Sequence, residues 1–248
     1  MLGNEIEFKN GGEYPPIEIE LDDNRKIEIT GKIDRADYAE NDDGKYIRII
    51  DYKSSVKDID LNEVVYGLQL QLITYLDSIT KEENYSSAGI LYFNLTDPIV
   101  DISNSADEKK IEKEIRKKFK MHGLILADVK VIKMMDNSLE KGASQYIPAY
   151  LDKEGNISEK YSSTISKEDF KNLQKQVIDT IKNIGKEIMS GNIDIKPYYD
   201  KSKKTPCEYC NYKSICNFNT RNKNNEYNYI KYMDKKEVLK KISEKFNK

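Results

Sequence analysis

The sequence of 248 residues predicts an α/β protein in which a mixed central sheet is flanked by helices. Apolar and polar residues alternate through much of the first 55 positions, which is the period of a β-strand. After about residue 60 the apolar residues recur at every third or fourth position, which is the period of an amphipathic helix. The order of three strands, a helix, a strand and further helices is typical of a sheet covered by helices.

The first third of the chain is predicted to form an antiparallel meander of three strands. Residues 17–21 (IEIEL) and 26–35 (KIEITGKIDR) alternate apolar and polar side chains, and residues 46–53 (YIRIIDYK) form the third strand. The last two strands are joined by residues 40–45 (ENDDGK), whose Asp-Gly step favours a tight hairpin. This hairpin fixes which residues of the two strands face each other.

The segment after residue 60 is predicted to form one amphipathic helix. Its apolar residues, spaced by three and four, are Val65, Leu68, Leu72, Leu76 and Ile79. Residues 86–95 have the composition of a buried strand, residues 106–120 that of a charged surface helix, and residues 124–135 are interpreted as a further possible strand.

The C-terminal part is predicted to be mainly helical. A long helix covers residues 167–190, with Ser166 as its N-cap and Gly191 just beyond its end. A lysine-rich segment at about residues 226–247 is predicted to be a final helix.

The charge balance gives no overall preference for nucleic acid. The chain has 41 lysines and arginines against 43 aspartates and glutamates, so a DNA-binding surface requires segregation of charge. Lysines cluster at residues 117–120 (KKFK) and 201–204 (KSKK). Each cluster is either such a surface or an ordinary solvated face.

Composition also limits the chemistry and the cellular location. The sequence has one histidine, His122, and no tryptophan, so a mechanism that needs two histidines from this chain is excluded. Carboxylates, lysine, tyrosine and cysteine are left to carry the chemistry. The sequence has no run of roughly 20 apolar residues and its first residues lack the pattern of a signal peptide, so we expect a cytoplasmic protein.

An acid and a lysine end the third predicted strand where its core face would otherwise continue. Asp51 and Lys53 follow Ile49 on the same face, because alternate side chains of a strand share a face. The hairpin can bring Asp34 beside Asp51, and two such carboxylates favour Mg²⁺ or Mn²⁺, with Lys53 placed to polarise a phosphate. The alternative is a surface salt bridge between Asp51 and Lys53, worth about 0–1 kcal/mol.

The helix that follows carries polar residues beside its apolar stripe. Gly67, Gln71 and Tyr75 are spaced at i, i+4 and i+8 and are expected on one side of the helix. Gln71 and Tyr75 can hold a phosphate or the lysine, and Gly67 permits close approach. Gly31, just before Asp34, gives the backbone room at the same place.

Three cysteines lie close together near the C-terminus. Cys207, Cys210 and Cys216 have the spacing C-x₂-C-x₅-C, which in a cytosolic chain indicates a metal site more than disulfides. Three ligands do not complete a tetrahedral zinc site or a four-cysteine cluster. The alternative is three ordinary buried cysteines.

Three short motifs resemble the RecB-family branch of the PD-(D/E)xK nucleases. They are GKIDRADY, IIDYKSS and GLQLQLITYL, in that order along the chain. The resemblance implies a restriction-endonuclease-like fold. It also implies that Asp34 and Asp51 bind metal, that Lys53 is catalytic, and that Gln71 and Tyr75 belong to the Q-x-x-x-Y helix of that family.

The segment PYYDKSKKTPCEYCNYKSICNF resembles the C-terminal end of the AddB family of helicase–nuclease subunits. The resemblance implies that Cys207, Cys210 and Cys216 join one upstream cysteine in a [4Fe–4S] cluster. That cysteine and the family's histidine-bearing helix are not found here, whereas Glu5 lies in a stretch that resembles the strand after the helix. The chain is therefore expected to be a fragment in which the cluster is absent or incomplete.

The resemblance predicts three regions and one main function. The regions are a nuclease domain (1–200), a cysteine-rich iron–sulfur segment packed on it (201–220) and a helical tail (221–248). The expected function is a metal-dependent DNA exonuclease that works with the partner protein AddA on double-strand ends during recombinational repair. The alternatives are a catalytically silent DNA-binding or docking module and a RecB-family nuclease of CRISPR adaptation.

Overall fold

The computed structural model describes residues 2–22, 24–82, 84–97, 107–222 and 225–246. In chain order its elements are β1 (Gly3–Phe8), β2 (Ile17–Glu20), β3 (Lys26–Ile29), β4 (Gly31–Asn41), β5 (Gly44–Lys53), α1 (Leu61–Val65), α2 (Gln71–Glu82), β6 (Ser86–Asn94), α3 (Glu108–Lys118), β7 (His122–Leu126), α4 (Val129–Met135), β8 (Gly142–Ala143), β9 (Tyr150–Leu151), β10 (Thr164–Ile165), α5 (Lys167–Met189), β11 (Tyr198–Tyr199), a 3₁₀ turn (Pro206–Glu208), α6 (Lys213–Cys216), β12 (Asn228–Tyr229) and α7 (Lys235–Phe246).

A six-stranded mixed sheet in the order β1-β4-β5-β6-β7-β10 forms the centre. β5 and β6 are parallel, as are β7 and β10, and the other neighbours are antiparallel. The parallel pair β5–β6 requires a crossover, which α1 and α2 supply. The α/β class with a mixed, helix-flanked sheet is therefore confirmed.

The predicted three-strand meander is wrong. The segment 26–35 is interrupted at Thr30, so that β3 pairs with β2 in a separate two-stranded sheet while β4 enters the main sheet. β4 joins the main sheet and not the sheet of β2 and β3 because β1 pairs with its first half. The hairpin between β4 and β5 is confirmed, although its two-residue loop is Asp42-Asp43 and Gly44 already begins β5.

The single helix predicted after residue 60 is also wrong. The structure has two helices, α1 and α2, because Gly67 (φ +85°) and Gln69 (φ +51°) adopt left-handed backbone conformations that a right-handed helix cannot contain. Gly67 therefore does not continue the face of Gln71 and Tyr75. It lies toward α5, where a Cβ would contact Thr180 at 3.6 Å.

Two other assignments are partly wrong. The possible strand at 124–135 is strand β7 followed by helix α4, which begins where the Asp128 carboxylate accepts hydrogen bonds from two backbone N–H groups. The final segment 226–247 contains β12 before α7. The buried strand β6, the surface helix α3 and the long helix α5 are confirmed, and Ser166 caps α5 in a capping box.

The sheet has an apolar core on each face. Neighbouring residues of one strand point to opposite faces, and Ile49 belongs to one core cluster while Ile50 belongs to the other. The larger cluster lies under α2, α5 and α7, and the smaller one includes Ile132 of α4 and Leu151 of β9. None of the helices in the described ranges has the length and apolarity that a membrane span requires.

Candidate active site

The β4–β5 hairpin brings the two predicted carboxylates to neighbouring positions. Arg35 stands opposite Ile50, so the next step of the same register places Asp34 opposite Asp51. The Oδ2 atom of Asp34 accepts a 2.9 Å hydrogen bond from the backbone N–H of Tyr52. This bond fixes the Asp34 carboxylate against the strand segment that carries Asp51.

Asp51 is buried and its carboxylate is only partly satisfied. The residue is 6% exposed, and its Oδ2 atom lies 2.6 Å from Lys53 Nζ. The angles of that contact do not make a hydrogen bond, so Oδ2 is a buried acceptor without a hydrogen-bond partner. The pair is a partly buried ion pair and not the solvent-exposed salt bridge that was the alternative, because the Asp51 side chain is only 8% exposed.

The oxygen donors fit a divalent cation that keeps part of its water shell. Mg²⁺ is commonly held by one or two carboxylates together with waters and phosphate oxygens, and Asp34 and Asp51 can supply those carboxylates. Across the described residues, no set of three or more His, Cys, Asp or Glu side chains is placed to hold a metal ion.

A third acid lies on the far side of Asp34 but is already engaged. Glu5 of β1 stands opposite Asp34, since its neighbours Asn4 and Ile6 pair with Arg35 and Ile33. Its backbone is left-handed (φ +54°), and its Oε1 atom accepts a 2.9 Å hydrogen bond from Lys32. Glu5 is exposed and contributes no ligand in this arrangement.

The structure adds a tyrosine and a second lysine that the sequence analysis missed. Tyr92 of β6 stands beside Asp51 in the parallel pair and is buried. Lys53 Nζ and Lys57 Nζ lie 5.9 and 5.3 Å from the centre of its ring, which is the range of cation–π contacts. Burial, and then the charge of Asp51, raise the pKa of Tyr92 to about 12, so its phenol stays protonated at neutral pH.

Tyr92 could have been suspected because a tyrosine interrupts the apolar run of the strand at 86–95. The pairing of Tyr92 with Asp51 could not have been predicted from the sequence, because the register of a parallel pair is set by the crossover and not by a local turn. His122 stands on the other side of Tyr92, in β7. The sole histidine therefore lies two strands from Asp51.

Tyr75 lies against Gly31, and Gln71 is hydrogen-bonded to Tyr75. Tyr75 is buried and stacks on Phe8 with ring centres 5.6 Å apart, and Gln71 Nε2 donates a 3.4 Å hydrogen bond to its hydroxyl. A Cβ at Gly31 would lie 1.9 Å from that hydroxyl. Among the described residues, no hydrogen bond or ion pair joins Lys53 to either side chain.

The three cysteines line one small cavity. Cys207, Cys210 and Cys216 are free thiols around a cavity of about 140 Å³ that Phe218 and Tyr227 also line. Cys210 and Cys216 are exposed and Cys207 is partly exposed, so the interpretation as ordinary buried cysteines is wrong. Their thiols are not placed as a metal-binding group within the described ranges, and the three cysteines of this sequence would supply three of the four ligands of a four-cysteine cluster.

Comparison with known proteins identifies a nuclease family. Residues 2–217 match the family model of the PD-(D/E)XK nuclease superfamily. The chain is 47% identical to the B subunit of the ATP-dependent helicase/deoxyribonuclease of Bacillus thuringiensis (strain Al Hakam). It is 46% identical to the proteins of the same name from Bacillus cereus (strain AH187) and Bacillus anthracis. Each alignment covers 97% of this chain and 21% of the relative, so the chain spans about a fifth of the length of these relatives.

Proposed function

The chain belongs to the PD-(D/E)XK nuclease superfamily, and from this membership we propose that it is a metal-dependent deoxyribonuclease that hydrolyses phosphodiester bonds. The observation that carries the proposal is the buried Asp51 carboxylate at the end of β5, whose Oδ2 atom accepts no hydrogen bond and lies beside Asp34 and the Lys53 ammonium. This arrangement provides what the reaction needs at one place: carboxylates for a cation, and an ammonium group for the phosphate.

Asp34 and Asp51 would hold Mg²⁺ or Mn²⁺. A bound cation of this kind supplies Lewis-acid stabilisation of a phosphate and lowers the pKa of a bound water. Lys53 lies at the rim of the site, where its side chain is 32% exposed and can donate to a phosphate oxygen. The Lys53 ammonium also lies 5.9 Å from the centre of the Tyr92 ring, a cation–π contact that favours this position.

The net reaction is a hydrolysis. A water oxygen bonds to phosphorus, the bond from phosphorus to one sugar oxygen breaks, and that oxygen takes up a proton. Lys53 stabilises the negative charge that develops on the phosphate oxygens in the transition state, an effect often worth a factor of about 10²–10³ in rate. Lys53 and the two carboxylates are thus assigned separate roles.

We place this activity in an exonuclease domain that forms part of a two-subunit helicase–nuclease. In this role the domain acts with an AddA-type partner on double-strand ends that are resected for recombinational repair. The support is the name of the relatives at 46–47% identity, which combines helicase and deoxyribonuclease. The same relatives favour this role over a nuclease of CRISPR adaptation. The geometry gives no support to a [4Fe–4S] cluster within the described ranges, and the proposal does not use one.

The test is cleavage of end-labelled linear single-stranded and duplex DNA, with Mg²⁺ or Mn²⁺ against EDTA. We expect metal-dependent cleavage by the wild type and by Lys133→Ala, an exposed control lysine on α4. For Lys53→Ala we expect cleavage to fall by about a hundredfold or more while DNA binding persists. Binding without cleavage by the wild type would favour the docking module instead. Unchanged cleavage by Lys53→Ala would remove Lys53 from the mechanism.

A further inference from the structure

A basic groove lies away from the candidate active site. It is a cavity of about 490 Å³ between α2, α5 and the beginning of β6. The lysines that line it are Lys81, Lys167, Lys171, Lys175 and Lys182. We call this cavity the α5 groove, because four of these lysines belong to α5.

The positive charge of the α5 groove is not neutralised from within. Its two aspartates are already engaged, Asp77 with Lys81 at 2.6 Å and Asp179 with Lys245. Within the described part of the chain, none of the four α5 lysines of the groove has an ion pair. The groove therefore carries four lysines of α5 that have no ion pair among the described residues, although the charge of Lys182 acts on Asp22.

The spacing of these lysines suits a chain of phosphates. Lys167, Lys171 and Lys175 are four residues apart and lie on one face of α5, about 6 Å apart along the axis. A stacked DNA strand carries one charge per about 3.4 Å, so about two nucleotide steps separate successive lysines. A stacked strand lying along α5 can thus place alternate phosphates at these lysines.

The other wall of the α5 groove adds polar side chains and aromatic rings. The hydroxyls of Thr80 and Ser87 already donate hydrogen bonds within the protein, and Ser86 adds a third hydroxyl. Tyr85 and Phe246 line the same wall with aromatic rings. Lysines interleaved with aromatic side chains are typical of surfaces that bind single strands, whose bases stack on the rings while cations hold the backbone. An acidic polypeptide would use the lysines but leave the rings without a stacking partner.

We infer that the α5 groove binds single-stranded DNA at a place separate from the site of cleavage. Ser86 lies six residues before Tyr92 on β6, a distance of about 20 Å at the rise of a strand. A single strand held in the α5 groove is thereby kept near the candidate active site without occupying it. This inference rests on the proposed function, because it assumes that DNA is the substrate.

The test compares two triple variants in EDTA, so that cleavage does not interfere. Lys167→Gln/Lys171→Gln/Lys175→Gln removes the α5 stripe, and Lys133→Gln/Lys141→Gln/Lys153→Gln changes three exposed lysines that do not line the groove. Fluorescence anisotropy with a labelled oligothymidylate of about 30 nucleotides gives the Kd from about 50 to 200 mM salt. Circular dichroism and thermal melting check that both variants fold.

For the α5 variant we expect binding weaker by about tenfold or more. The slope of log K against log salt should decrease by about 2, because each lost contact to a single strand contributes about 0.7. The control variant should keep the slope and affinity of the wild type. Equal slopes for all three proteins would overturn the inference, as would competition by polyglutamate as strong as that by unlabelled DNA.

The result is separable from that of the cleavage test. If the wild type cleaves DNA but the α5 variant binds as tightly as the control, the nuclease proposal stands and the α5 groove is not a DNA site. If the wild type binds DNA through the groove but does not cleave it, the groove stands and the nuclease proposal fails.

Discussion

At Asp51, strand β5 buries a carboxylate on the face where Ile47 and Ile49 pack into the core. A buried acceptor without a hydrogen bond costs about 1–3 kcal/mol, and more when it is charged. Lys53 offsets part of that cost by proximity, at 2.6 Å from the same oxygen. A divalent cation bound by Asp34 and Asp51 would offset the rest of that cost.

Gly31 is a residue whose small size the structure requires. The hydroxyl of Tyr75 fills the space where a Cβ would stand, at 1.9 Å. Gly31→Ala should therefore displace the tyrosine ring and lower the free energy of unfolding by about 1–3 kcal/mol, measured by urea denaturation. Tyr75→Phe alone removes only the long hydrogen bond from Gln71 and should cost less than about 1 kcal/mol.

The double variant Gly31→Ala/Tyr75→Phe tests whether the loss of stability in Gly31→Ala comes from the clash between the new Cβ and the Tyr75 hydroxyl. It removes the closest clash but keeps the ring carbon that would lie 2.8 Å from the new Cβ. The double variant should recover part of the stability that Gly31→Ala loses. Wild-type stability of Gly31→Ala would show that Tyr75 does not lie against Gly31.

The sequence predicted some of these residues and not others. Asp34, Asp51 and Lys53 could be placed close together on neighbouring strands, because a two-residue hairpin determines the register between β4 and β5. Tyr92 and Lys57 could not be added, because they approach through a parallel pair and a loop whose positions depend on the crossover. The role of Gly31 as space for Tyr75 likewise depends on how α2 packs on the sheet.

At the scale of elements, a charged cluster links β4 and β5 beside the site. Asp37 accepts a 2.9 Å hydrogen bond from Arg35 and two from Arg48, at 3.0 and 3.1 Å. Asp37 and Arg48 are direct partners in the register, so this is a cross-strand pair. Burial raises the pKa of Asp37, but the hydrogen bonds and charges of Arg35 and Arg48 outweigh it, and the net pKa is lowered.

The lowered pKa of Asp37 predicts an acid-sensitive contribution to stability. A carboxyl whose folded pKa lies below its unfolded value of about 3.9 contributes stability above that value and loses it as the pH falls through the folded pKa. Asp37→Asn should therefore cost about 1.5–3 kcal/mol at pH 7, measured by urea denaturation. The difference from the wild type should shrink below about pH 4.

A matched control is available in the hairpin loop. Asp43 pairs with Lys130 at the exposed surface, so Asp43→Asn should cost less than about 1 kcal/mol at neutral pH. If Asp37→Asn and Asp43→Asn cost the same at neutral pH, the two arginines do not stabilise the β4–β5 pair through Asp37.

Elements with their own local signals were predicted well. Ser166 caps α5 through its side chain, and the strand predicted at 46–53 lies within β5. The failures came where tertiary packing overrides the pattern. The apolar period runs on from α1 into α2, but Gly67 and Gln69 turn the chain so that both helices reach α5 while α2 packs on the sheet. β1 was expected only by resemblance, because its pairing with β4 is what makes it the edge strand of the main sheet.

At the scale of the whole molecule, the C-terminal helix returns to the centre of the fold. The Asn62 side chain of α1 exchanges two hydrogen bonds with the backbone of Met233, at 2.8 and 3.1 Å. Val238 and Ile242 of α7 are buried in the same core cluster as α2 and α5. The division into three regions at residues 200 and 220 stays a prediction, and β11 pairs with β12 across the cysteine-rich segment.

The central claim is that Asp34 and Asp51 hold a divalent cation, and Mn²⁺ binding tests it most directly. Electron paramagnetic resonance measures free Mn²⁺ in titrations of the wild type, Asp34→Asn, Asp51→Asn and the control Asp43→Asn, with folding checked by circular dichroism. We predict that the wild type and the control bind Mn²⁺ alike and that each site variant binds about tenfold or more weakly. Equal Mn²⁺ binding by all four proteins would contradict the claim.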